Sequence, residues 1–164
     1  GGPYPLAYNG LGDVFVVLFF GFVAVGCTYY VQAGAISGKV LLLGFGCGLL
    51  VNNILVVNNY RDLEEDRAAR KRTLVVLFGR RFAQIQYYVS ALLAGAVVLG
   101  FWAIGYGPFV VIALLPVGYA VLLGVRLPVA EGPEEFLEAL KGSAKVVAAY
   151  GMLFSGGLLL GVLL

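Results

Sequence analysis

Residues 40 to 74 read VLLLGFGCGLLVNNILVVNNYRDLEEDRAARKRTL. Val40 to Val57 is an apolar run close to the ~20 residues that cross a hydrocarbon core, and it opens at Asn58 into a rim of carboxylates and bases that runs to Leu74. If residues 55 to 67 are helical, Asn58, Asp62 and Asp66 stand at i, i+4 and i+8, so an amide and two carboxylates share one face. One hard divalent cation fits such a set, since magnesium takes only one or two protein carboxylates and leaves its other positions to water and phosphate oxygens. Arg61, Arg67, Arg70, Lys71 and Arg72 would then meet the remaining phosphate charge. The pattern points to a diphosphate-handling site at a membrane surface.

Composition agrees with the membrane half of that reading. Hydrophobic residues make up 61% of the 164-residue chain, charged residues 12%, and mean hydropathy is +0.95, outside the range of an ordinary water-soluble globule. The formal net charge of +2 is too small to argue for nucleic acid. The chain has no histidine, which excludes His-ligated zinc, His-held haem and any Ser-His or Cys-His nucleophile pair within it. Cys27 and Cys47 fall in apolar spans and read as small buried hydrophobes. With Gly1-Gly2-Pro3 at its start and its only methionine at Met152, the chain reads as a fragment of a longer protein.

Working outward from Val40 to Val57, four further segments approach a membrane span: Val14 to Gln32, Gln84 to Ile104, Phe109 to Val125 and Val146 to Leu164. The expected fold is therefore all-α, a single polytopic bundle of about five spans over residues 1–164. Residues 1 to 13, 58 to 83 and 126 to 145 on one side carry ten of the eleven Lys and Arg, leaving Lys39 alone opposite. The positive-inside rule puts that basic side in the cytoplasm of a cell membrane. Tyr29, Tyr30 and Trp102 near the outer ends, and Tyr87 and Tyr88 near an inner end, read as interfacial anchors. Residues 133 to 141 read as a short amphipathic connector lying in the interface, with Phe136, Leu137 and Leu140 facing the bilayer. Glycines within spans read as points of close helix packing.

Asn52 and Asn53 lie inside the apolar run, where an amide turned to lipid would go unsatisfied. With Asn59, Asp62 and Asp66, Asn52 traces a polar stripe suited to a cavity wall; interhelical hydrogen bonding accounts for the same amides equally well. The basic cluster, too, has two readings: as an orientation signal attracted to anionic lipid, or as phosphate ligands. The register of Asp62 and Asp66 with Asn58 favours the second, although ordinary charges on a solvated helical turn share that spacing.

The wording NNYRDLEEDRAARKRTL closely resembles the second aspartate-rich motif of the UbiA superfamily of intramembrane prenyltransferases. GGPYPLAYNGLGD at residues 1 to 13 and FFGFVAVGCTYYVQ at residues 19 to 32 are similar to its 1,4-dihydroxy-2-naphthoate polyprenyltransferase branch. The resemblance implies the C-terminal half of a nine-helix bundle around a central cavity, with a first aspartate-rich motif supplied by a missing N-terminal half. It further implies Mg2+ as cofactor, and transfer of a polyprenyl group from an allylic diphosphate to the naphthoate in menaquinone or phylloquinone biosynthesis. Asp62, Asp66 and Asn58 become the metal ligands, with the two aspartates also catalytic, and Arg67, Lys71, Arg61 and Thr73 the diphosphate contacts. Tyr4, Tyr8, Asp13 and Asn53 become candidates to line the acceptor site. Other branches, such as the 4-hydroxybenzoate type, and a noncatalytic membrane scaffold stand as alternatives. Arg70 occupies a position where the family commonly has glycine, and Leu77 one where arginine is usual. The sequence leaves open whether Arg70 strains a turn that needs positive φ or extends the helix.

Overall fold

The computed structural model describes residues 8–163, and all regular structure among them is helical. Five helices are long and apolar enough to cross a membrane: α1 Gly12–Ala33, α2 Gly38–Arg61, α4 Leu74–Ala103, α5 Pro108–Val129 and α6 Gly132–Leu163. The short helix α3, Leu63–Ala68, follows α2. This is a multi-pass membrane bundle. Because the connections are short, successive spans run up and down, and the ends at Gly12, Arg61, Leu74, Val129 and Gly132 share one face.

α2 is the axis of the bundle. Its N-terminus is capped by Ser37, whose Oγ accepts from the Val40 N–H at 3.4 Å, and it packs against α1, α4 and α6. Against α1 the contact is backbone to backbone. A Cβ added at Gly21 would lie 2.6 Å from the Gly44 carbonyl oxygen, and one added at Gly44 would lie 2.6 Å from that of Gly21. In lipid, where apolar side chains gain nothing by leaving their solvent, such close approach is what van der Waals packing between helices requires. Gly21 sits within a π-helical stretch, Val17–Val23, in the middle of α1.

α4, α5 and α6 close the other side around Tyr87, Phe101 and Tyr150, all buried. Their hydroxyls are satisfied as burial demands: Tyr150 donates to the Ala94 carbonyl at 3.0 Å, and Tyr87 shares a 2.9 Å bond with Ser143 Oγ. The outward faces stay apolar, with Phe20, Leu92, Leu115, Leu122 and Met152 exposed, as lipid contact allows.

Several expectations are corrected here. Tyr87 is a core residue rather than an interfacial anchor, whereas Tyr29, Tyr30 and Trp102 are exposed as expected. Cys27 is exposed rather than buried. Residues 133 to 141 are the opening turns of α6, continuous with the last span. Glu, Leu, Ala and Lys are strong helix formers, so Glu138, Lys141 and Lys145 interrupt the hydropathy but not the helix. Phe136 and Leu140 accordingly pack on the core, Phe136 with its ring 6.2 Å from that of Tyr60, and only Leu137 of the three is exposed. α4 starts ten residues before Gln84, with a kink at Gly79 (φ 82°, ψ 174°) separating its first turn from the span.

Candidate functional site

The rim at the end of α2 is built by two local devices. The helix breaks at Asp62 (φ −88°, ψ 12°), yet the Asp62 N–H still reaches the Asn58 carbonyl at 3.0 Å and the Asp66 N–H reaches that of Asp62 at 2.8 Å. The i, i+4, i+8 backbone register therefore survives the break. α3 then ends in a Schellman turn. Lys71 N–H bonds the Asp66 carbonyl at 2.9 Å, Arg70 N–H bonds that of Arg67 at 3.1 Å, and Arg70 adopts left-handed φ of 55°. Arg70 thus occupies a turn that needs positive φ; it does not extend the helix.

That turn folds the chain back so that Lys71 Nζ meets Asp66 Oδ1 at 2.6 Å. The hydrogen bond and charge of Asp66 raise the Lys71 ammonium above the usual lysine range, with a smaller contribution from nearby Tyr8. Asp66 is buried, while Asp62 is about one-fifth exposed. Arg61 clamps the outer pair: Nε donates to Asp62 Oδ1 at 2.6 Å, and one Nη donates to Asp62 Oδ2 and to Asn58 Oδ1, both at 2.9 Å. Each aspartate thus has its own cation. Arg67, expected at the diphosphate, is paired with Glu64 at 3.0 Å, both side chains largely exposed. Thr73, expected at the diphosphate, is buried and caps α4, its Oγ1 accepting from the Val76 N–H at 3.3 Å.

Immediately before α1, Gly10 packs against this rim. Gly10 has φ of 70°, and a Cβ there would stand 3.1 Å from the Arg72 carbonyl oxygen, so the position suits glycine on both counts. Asp13 follows, buried, accepting from Asn52 Nδ2 at 3.2 Å and Gln86 Nε2 at 2.6 Å. Asn52 is therefore an interhelical tie joining α1 to α2, and Gln86 extends the tie to α4. Asn53, also buried, donates to the Tyr87 carbonyl at 3.1 Å. The Asn52 and Asn53 Oδ1 atoms and Gln86 Oε1 have no protein partner. A small cavity of about 30 Å³ joins Asp13 to Asn59 and Thr73, with Gly10, Gly12 and Leu55 as its other walls. Tyr8 is exposed; Tyr4 lies outside the described residues.

Beyond the rim a wide cleft of about 540 Å³ is lined by Arg61, Asp62, Glu65, Gly132, Pro133 and Phe136. The sequence reading missed the contribution of α6 to this cleft, because nothing local to residues 132 to 136 signals it. It also missed Gln86, whose position in an apolar span was the available signal.

The donor types at the rim are those magnesium takes. Two carboxylates and the Asn58 carbonyl are hard oxygens, and magnesium binds one or two carboxylates at a time, although Arg61 and Lys71 are bonded to them here and no group of three or more Asp, Glu or Cys able to hold a metal ion exists among the described residues. Asn58, Asp62 and Asp66 are the residues that would hold it.

The UbiA prenyltransferase family model matches residues 3–137. The chain belongs to this family. It is 32% identical over 163 residues to a Haemophilus influenzae 1,4-dihydroxy-2-naphthoate octaprenyltransferase, covering 98% of the chain and 52% of that protein. A Bacillus subtilis protein of the same name is 32% identical over 168 residues, again covering 98% and 52%. An Escherichia coli protein of that name is 39% identical over 97 residues, 59% of the chain and 31% of the relative. The UbiA chain thus spans about half the length of the first two relatives. No solved structure matches it.

Proposed function

We propose that this UbiA chain forms the diphosphate-binding half of a membrane prenyltransferase that moves a polyprenyl group from an allylic polyprenyl diphosphate to 1,4-dihydroxy-2-naphthoate, in a Mg2+-dependent reaction of menaquinone or phylloquinone biosynthesis. The observation that carries the reading is the unbroken i, i+4, i+8 register of Asn58, Asp62 and Asp66, with Arg61 and Lys71 held against the two carboxylates. The relatives' names support the acceptor, and the family's two-motif pattern implies a first aspartate-rich motif from a companion half.

In this reading Arg61 and Lys71 bind the diphosphate, Arg61 through a planar fork suited to two phosphate oxygens and Lys71 as a point charge. Bound magnesium supplies Lewis-acid neutralisation of the charge that develops on the departing diphosphate. Arg67 and Thr73 play no direct part, since one is paired at the surface and the other caps α4. Asp13, Asn53 and Tyr8 are the described residues assigned to the acceptor side. The apolar helices keep water from the allylic cation while the ring attacks it and carbon dioxide leaves. The basic rim supports a site on the cytoplasmic face.

The test uses membranes carrying the full-length protein, a labelled polyprenyl diphosphate, and naphthoate and 4-hydroxybenzoate acceptors in parallel. Asp62→Asn and Asp66→Asn are expected to abolish Mg2+-dependent transfer to the naphthoate without affecting insertion. Normal turnover in both variants overturns the metal assignment, and transfer confined to 4-hydroxybenzoate overturns the acceptor.

A further inference from the structure

A second cavity, of about 310 Å³, lies where α5 ends and α6 begins. It is separate from the Asp62 cleft: Pro133 and Phe136 line that cleft, whereas Glu135 and Glu138 line this one. Both therefore lie at the rim end of the bundle, where the ends of the spans α5 and α6 meet. The volume is at the lower end of the ~300–1,000 Å³ that holds small ligands.

Its chemistry is mixed in a specific way. Arg126 reaches it from the last turn of the α-helical part of α5, and Glu135 and Glu138 face it from α6; Tyr119, Leu123 and Leu127 give it an apolar wall. None of the three charged side chains is ion-paired among the described residues, although all border one space. The Glu135 carboxylate accepts the Glu131 N–H at 2.7 Å, which caps α6 but leaves its charge unneutralised.

One cation and two anions around an amphipathic space select their ligand. A multiply charged anion such as diphosphate meets Arg126 but is repelled by both carboxylates, and a simple cation is repelled by Arg126. A zwitterion satisfies both ends, with a phosphodiester on the guanidinium and an ammonium between the glutamates. A primary ammonium brings three N–H donors to those carboxylates, whereas a quaternary one brings none. The adjoining apolar wall suits the first carbons of acyl chains. We infer that this cavity is a binding site for the headgroup of an aminophospholipid of the phosphatidylethanolamine type, held by Arg126, Glu135 and Glu138.

The experiment is native mass spectrometry of the intact protein in detergent with equimolar phosphatidylethanolamine, its monomethyl and dimethyl forms, phosphatidylcholine and phosphatidylglycerol of one acyl composition. The ethanolamine lipid is expected to be retained about fivefold over the choline and glycerol lipids, as one partly exposed ion pair implies, with retention falling at each methylation. Glu138→Gln is expected to erase the preference, and Arg126→Gln to lower retention of all these lipids together, since each carries the phosphodiester. Equal retention of ethanolamine and choline lipids, preference for the glycerol lipid, an undiminished preference in Glu138→Gln, or unchanged retention in Arg126→Gln overturns the assignment. Thermal melting of the unsubstituted protein in bilayers with and without the ethanolamine lipid gives a measure independent of the variants' folding. A higher melting temperature with that lipid supports the site, and an unchanged one counts against it.

Discussion

Arg70 offers the sharpest quantitative test of the rim. Its φ of 55° is left-handed, a conformation that costs an L-residue about 1–2 kcal/mol. Glycine escapes that cost but loses about 0.4–1 kcal/mol through the greater freedom of its unfolded chain. The Arg70 side chain is exposed and makes no ion pair among the described residues, so removing it alone should change stability by under about 0.5 kcal/mol. Arg70→Ala retains the strain and Arg70→Gly relieves it. The glycine variant should therefore be the more stable of the two by about 0.5–1 kcal/mol, with Arg70→Asn between them because asparagine tolerates this region. Arg70→Val, β-branched, should be the least stable and should weaken diphosphate binding, because the Schellman turn is what carries Lys71 to Asp66. Reversible unfolding in mixed micelles, followed by circular dichroism, measures the ranking. A glycine variant no more stable than the alanine variant would falsify the turn assignment.

Two other predictions address the site and its support. Lys71→Met should raise the KM for the polyprenyl diphosphate about 10- to 100-fold, the range of one lost charge-assisted hydrogen bond, while Arg67→Gln should leave it within about twofold, since exposed pairs like Arg67–Glu64 contribute little; steady-state kinetics with the donor varied and the acceptor saturating distinguishes them, and equal effects refute the assigned division of roles. Asp13→Ala leaves the buried Asn52 amide and the part-buried Gln86 amide without their shared acceptor, a loss of about 1–3 kcal/mol, and Asp13→Asn, which keeps a carbonyl there, should lose less; equal unfolding midpoints for the two variants would show that the tie between α1, α2 and α4 carries no stability.

Much of this was legible in the chain because membrane spans are written in local hydropathy and the rim in helical spacing. The register of Asn58, Asp62 and Asp66 needed only a period of 3.6, and it survived a helix break at Asp62 that the spacing did not announce. What escaped notice depends on partners distant in sequence. Gln86 reaches Asp13 across 73 residues, and Tyr87 is buried because Ser143 lies opposite it. Thr73 was assigned to the diphosphate by resemblance, but its place before the apolar run Leu74-Val75-Val76 makes it an N-cap. The charges of residues 134 to 145 hid the start of α6 because the reading weighed hydropathy above helix propensity. Arg70 could be resolved only by its backbone angle, since arginine is itself a good helix former.

The meeting of Gly21 with Gly44 has a mechanical consequence. With no side chain between the two backbones, no rotamer change can cushion their contact, so the crossing leaves α1 and α2 little room to approach further. α2 runs on to Arg61, the residue before Asp62, so whatever sets the tilt of this helix in a bilayer also sets where the first aspartate stands.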